Sequence, residues 1–140
     1  MSELDRAYFK TATAASDEAL RKLVESAAFE LPTDYVAFLR QNNGCDGELE
    51  INPGWVQIWR AEDVLESNSR YETQQNVPGF FAFGSSGGSE MFAFDLRTPG
   101  RAPVVMIPFI PMEIEHALLL AATFGEFAEH FGKREKQSPL

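Results

Sequence analysis

Gly79-Phe80-Phe81-Ala82-Phe83-Gly84-Ser85-Ser86-Gly87-Gly88-Ser89-Glu90-Met91-Phe92-Ala93-Phe94-Asp95-Leu96-Arg97 is the stretch that decides the fold. Two aromatic runs of period two flank a glycine-rich turn. In an extended chain, successive side chains point to opposite faces, so Phe81 and Phe83 share one face and Phe92 and Phe94 share another. Four phenylalanines on such faces must be buried. Gly84, Gly87 and Gly88 can take positive φ without steric cost, which lets the chain reverse and the two runs pair antiparallel. The segment reads as a sheet hairpin, with acids at Glu90 and Asp95 on its second strand.

The same glycines invite two catalytic readings. Gly84-Ser85-Ser86-Gly87-Gly88 satisfies the G-x-S-x-G pattern of a nucleophile elbow, but that device needs a helix after the turn and an alternating strand follows instead. A phosphate cradle would want a lysine, and Glu90 would repel the ligand. The glycines are therefore assigned to backbone geometry.

Outward from the hairpin, the 140 residues are 44% hydrophobic, which suits one domain spanning 1–140. A chain of this length removes roughly 70% of its unfolded surface from water on folding. The single cysteine, Cys45, has no partner for an internal disulfide. It sits in Gly44-Cys45-Asp46-Gly47, where acidic neighbours raise a thiol pKa, and reads as a loop cysteine, not a nucleophile. With no leader-like or membrane-spanning run, the reading is a cytoplasmic protein. The net charge of −9 disfavours nucleic acid and anionic lipid and favours cationic partners, although solubility alone also accounts for it.

Elsewhere, Ser16-Asp17-Glu18 predicts a helix start, with Leu20, Leu23, Val24 and Ala27 on its buried face. Leu31-Pro32 opens a second helix, with Pro32 as its first residue, Tyr35, Phe38 and Leu39 facing inward, and Asn42-Asn43-Gly44 ending it. Glu48 to Ile51 alternates like a half-exposed strand, and Trp55 to Trp59 reads as its partner across Asn52-Pro53-Gly54. That partner has Val56 and Ile58 on one face and both tryptophans on the other, so either a helix covers the tryptophans or an edge is left for a partner. Residues 61–66 predict a short helix, and Ser67 to Val77 a polar loop, either mobile or binding. Val104 to Ile107 predicts a strand, and Thr123-Phe124-Gly125-Glu126 a capping box leading Phe124, Phe127 and Phe131 inward. Residues 1–15 and 112–122 receive no assignment, and 132–140 read as a frayed tail. The order of helices, antiparallel strands and a last helix predicts an α+β domain, not a doubly wound one.

With these segments placed, the chain resembles the SUKH superfamily, which includes the Smi/Knr-type regulators of yeast cell-wall glucan synthesis. The resemblance covers 31–131 and rests on four segments: Leu31-Pro32 through Tyr35, Phe38 and Leu39 to Asn43-Gly44; Ile58-Trp59-Arg60 to Leu65; Phe83 to Leu96, with Gly84, Gly87, Gly88, Phe94 and Asp95; and Thr123 to Phe131. Ser86 and Ser89 replace residues that are more often Asp and Gly, and Cys45 stands where a second glycine is common. The resemblance implies a mixed, mostly antiparallel sheet flanked by N-terminal and C-terminal helices. It also implies no enzymatic activity or cofactor, and in bacteria a frequent role as immunity proteins that neutralise toxin domains, often nucleases.

The functional expectation is thus a bacterial immunity protein, monomeric or a small homo-oligomer, whose acidic surface meets a basic toxin domain. The alternative is a regulatory scaffold without a toxin partner. Contact residues are expected at Asp46, Glu48 and Glu50, at Trp59 as an aromatic anchor, at Tyr71, and at Ser86 and Glu90 in the turn. An enzyme is disfavoured. His116 and His130, the latter four residues after Glu126, are the candidates for a metal or acid–base site, and both read as surface histidines with no metal.

Overall fold

The predicted hairpin forms strands β4 (Phe80–Ser85) and β5 (Glu90–Asp95) at the centre of the sheet. A computed structural model describes residues 8–134 of the chain. Phe81 pairs with Phe94 and Gly84 with Phe92, and a β-bulge between Ala82 and Gly84 makes Phe83 the extra residue. Phe81, Phe83, Phe92 and Phe94 all lie in one core cluster despite the bulge. The Phe83 and Phe94 rings stack with centroids 4.4 Å apart. Phe80, Ala82, Met91 and Ala93 are buried in a second cluster, so both faces of the hairpin are covered.

Around it lies a seven-stranded sheet in simple chain order, with β1 (Phe9–Thr11), β2 (Cys45–Glu48) and β3 (Trp55–Ile58) on one side and β6 (Val104–Pro108) and β7 (Leu118–Ala121) on the other. All six pairings are antiparallel, in keeping with the mostly antiparallel sheet expected. Helices α1 (Asp17–Ser26), α2 (Thr33–Gln41) and α5 (Phe124–Ala128) pack Leu20, Leu23, Tyr35, Leu39, Phe124 and Phe127 into the first cluster. The domain is α+β with helices at both ends, as predicted. Ser16 caps α1, its hydroxyl accepting the Ala19 N–H, and Thr123 caps α5 by accepting from Glu126.

Several boundaries move. Val24 is 47% exposed, because α1 turns only Leu20 and Leu23 inward. Pro32 is the N-cap of α2 and not its first helical residue. The strand expected over 48–51 runs over Cys45–Glu48, since Ile51 is drawn into the turn and Leu49 bridges to Phe131. Cys45 is consequently a buried strand residue and not a loop cysteine. Of the three hairpin glycines, only Gly87 has positive φ, at 79°. Gly84 lies within β4, where an added Cβ would fall 2.3 Å from the Gln57 carbonyl oxygen. The unassigned 112–122 holds a 3-10 turn (Ile114–His116) and β7, and β1 emerges from the unassigned N-terminal region. Gly132 donates its N–H to the Glu48 carbonyl at 2.8 Å, and residues 135–140 of the expected tail lie outside the described residues.

The polar stretch 67–77 is not a loop. Helix α3 (Ala61–Arg70) and the short α4 (Thr73–Asn76) fill it. Asn68 is buried and bonds both backbone groups of Ala82, and Gln74 donates to the Phe80 carbonyl. Chemistry that looked available for binding instead satisfies the flank of β4 where β3 has diverged.

Candidate protein-binding face

Strand β2 sorts its residues by alternation. Cys45 and Gly47 are buried against the first cluster, while Asp46 and Glu48 point to the other face and stay half-buried. Cross-strand register then builds rows on that outer face. Lys10 stands opposite Asp46, Asp46 opposite Gln57, and Gln57 opposite Ser85, so one polar row crosses four strands. In the next row Glu48 stands opposite Trp55, and its N–H donates to the Tyr8 carbonyl at 2.7 Å. The Tyr8 and Trp55 rings stack, centroids 5.7 Å apart and 11° from parallel. Trp55 Nε1 donates to Asp46 Oδ1 at 2.7 Å, which fixes both the indole and the carboxylate. Tyr8 remains 51% exposed.

The β4–β5 turn borders this face. A Cβ on Gly87 would lie 3.3 Å from Trp55 Cδ1 and 3.5 Å from Gln57 Cδ, so the turn backbone rests against both side chains. Ser86 Oγ donates to Glu90 Oε1 at 2.7 Å and accepts from the Gly88 N–H, while Ser85 Oγ accepts from the Gly87 N–H. Ser86 and Glu90 thereby set the shape of the turn. A Cβ added at Gly88 would meet only Ser86 Oγ, at 3.7 Å, among the described residues.

The remaining candidates fall elsewhere. Glu50 is turned away from Asp46 and Glu48: its Oε1 lies 2.8 Å from His130 Nδ1, and its N–H donates to the His130 carbonyl. His130 thus partners an acid 80 positions away instead of Glu126, whose carboxylate accepts the Ala122 N–H. Trp59 stacks on Tyr71 at 6.1 Å and Tyr71 packs at a tilt against Phe109 at 4.6 Å, a second aromatic group beside the second core cluster. Trp59 and Trp55 are both half-buried, but Trp59 contacts Tyr71 whereas Trp55 contacts Tyr8 and Asp46 and stands opposite Glu48, so Trp55 is the tryptophan at the acidic rows. The sequence signal for it was present in the two-faced Trp55–Trp59 run, but Tyr8 came from a region without assignment.

The motif residues are structural. Tyr35 is fully buried among Phe83, Phe94 and Phe124, and Phe38 packs on Phe124 and Phe131. Gly44, at φ 103°, lets β2 approach the Ile58 carbonyl. Asp95 accepts two hydrogen bonds from the Arg97 guanidinium, both at 2.9 Å, and these hold its carboxyl below the usual carboxylate range. Burial pushes the Cys45 thiol up to about 12, with the Asp46 charge a smaller contribution than the sequence suggested. A separate groove of about 510 Å³ between 29–34 and 96–102 carries Glu30, Asp34 and Arg101, but Asp34 already accepts from the N–H groups of Tyr35 and Gly125. Among the described residues no helix is long and apolar enough to cross a membrane.

An antiparallel sheet with helices packed on its inner face and an acidic, aromatic outer strip defines a surface-presenting α+β domain. The sequence matches the SMI1 / KNR4 family (SUKH-1) over residues 14–130, and the chain belongs to that family. No curated protein matches it.

Proposed function

We propose that the chain is an immunity-type protein that binds a basic toxin domain through the Asp46–Glu48–Trp55–Tyr8 face and occludes it. One observation carries this reading: Asp46, held at 2.7 Å by Trp55, sits with Glu48 beside a stacked, partly exposed aromatic pair on the outer face of the sheet. Fixed acids next to rigid aromatics are what an interface for a cationic partner needs, since charge speeds encounter and aromatic burial holds the complex. The net charge of −9 extends the same field beyond the face. Binding here is occlusion and takes no cofactor.

The test is association kinetics with the partner captured from the native host. Asp46→Lys combined with Glu48→Lys slows association by about tenfold or more at low ionic strength, and the gap narrows with salt. Unchanged kinetics with a folded variant would remove this face from the interface. Capture of ordinary, non-basic cellular proteins instead would favour a regulatory scaffold.

A further inference from the structure

The run Ala117-Leu118-Leu119-Leu120-Ala121-Ala122 has the composition of a strand covered on both faces, yet β7 is an edge. Leu118 pairs with Met106 of the first cluster and Leu119 with Val105 of the second, so the two side chains leave on opposite faces. They are 51% and 66% exposed, and Ile110 is 91% exposed. Natural sheet edges are usually blunted by a charge or a proline. The opposite edge, β1, carries the exposed Lys10 at its centre, whereas β7 carries neither device.

The charges around β7 indicate what would pair with it. Exposed Glu113 and Glu115 precede the strand, and exposed Glu126 and Glu129 follow it. A second copy laid antiparallel would bring the Glu115 end of one chain to the Glu126 end of the other, like charge against like. A strand with lysine or arginine at both ends would meet opposite charge at each. We propose that β7 is a docking edge for an extended apolar segment, flanked by basic residues, of a partner protein, which adds to the sheet as an eighth strand. Its backbone bonds to Leu118–Ala121, and its apolar side chains cover Leu118 on one face and Leu119 on the other. This edge is far across the sheet from Asp46 and Glu48 and stands independently of the proposed toxin-binding face.

The experiment titrates the full chain with the peptide Lys-Lys-Val-Ile-Val-Ile-Lys-Lys, followed by calorimetry and by amide hydrogen exchange. The expected result is saturable binding with exchange at 118–121 slowed about tenfold or more. Leu119→Lys weakens binding by at least about tenfold, and Asp46→Lys leaves that protection at 118–121 in place. A peptide with a central proline, which cannot complete the ladder, does not bind. The proposal is overturned by no saturable binding, by protection at 45–57 instead of 118–121, or by equal binding of a peptide with glutamates in place of the lysines. It is also overturned if the chain alone forms a dimer that Leu119→Lys dissolves, because the occupant is then a second copy.

Discussion

Asn68 takes the place of a neighbouring strand for Ala82: its Nδ2 donates to the Ala82 carbonyl at 2.8 Å, and its Oδ1 accepts the Ala82 N–H at 2.9 Å. The same amide also donates to the Val64 carbonyl, joining α3 to β4 at a buried position. Asn68→Ala strands a buried donor and a buried acceptor of Ala82, each worth about 1–3 kcal/mol unsatisfied. The expected loss is about 3 kcal/mol by urea denaturation, with the slope unchanged. A loss below about 0.5 kcal/mol would mean that water replaces the amide.

Gly84 is required by close approach and not by its dihedral. Any Cβ there would meet the Gln57 carbonyl oxygen, a backbone atom that cannot swing aside. Gly84→Ala should cost more than about 2 kcal/mol by forcing β3 away from β4. Gly88→Ala, in open space, should stay within about 0.5 kcal/mol. Equal melting temperatures for the two variants would contradict the register.

Tyr35 carries a buried hydroxyl with no hydrogen-bond partner among the described residues. Removing it in Tyr35→Phe relieves an unpaired polar group while keeping the ring contacts to Phe83, Phe94 and Phe124. Stability should rise by up to about 1–2 kcal/mol. A destabilised variant would show that the hydroxyl has a partner in solution.

Cys45 links stability to alkaline pH. Its thiol is pushed up to about 12 by burial, whereas the unfolded thiol ionises near its ordinary value. A raised folded pKa means that this contribution is complete below about pH 8 and is lost as pH rises toward 12. Between about pH 8 and pH 11 the protein should lose about 2–3 kcal/mol more than Cys45→Ala does. Parallel stability curves for the two proteins would contradict the burial of the thiol.

The central hairpin was legible because four phenylalanines at period two admit one arrangement, and the capped helices were legible because Ser16 and Thr123 bond their own N–H groups locally. What was not legible depends on distant partners. Asn68 and Gln74 read as loop polarity because their acceptors lie across the sheet in β4. Glu50 read as one of three surface acids because His130, its partner, is 80 positions away. Leu118 to Ala121 showed no alternation, since an edge strand with apolar residues on both faces carries no period-two signal. Asp46 and Glu48 were singled out by charge and share a face, and the tryptophan adjacent to them is Trp55.

The footprint of the natural partner is the sharpest test of the proposed binding face. The chain, tagged and used to capture partners from its native host at physiological salt, should retain one basic domain. Hydrogen exchange of the complex should then show protection at 46–48, 55–57 and the 86–90 turn. Capture of no basic domain, or protection confined to the helical face around α1 and α2, would contradict the claim that the acidic outer strip of the sheet is where this protein binds.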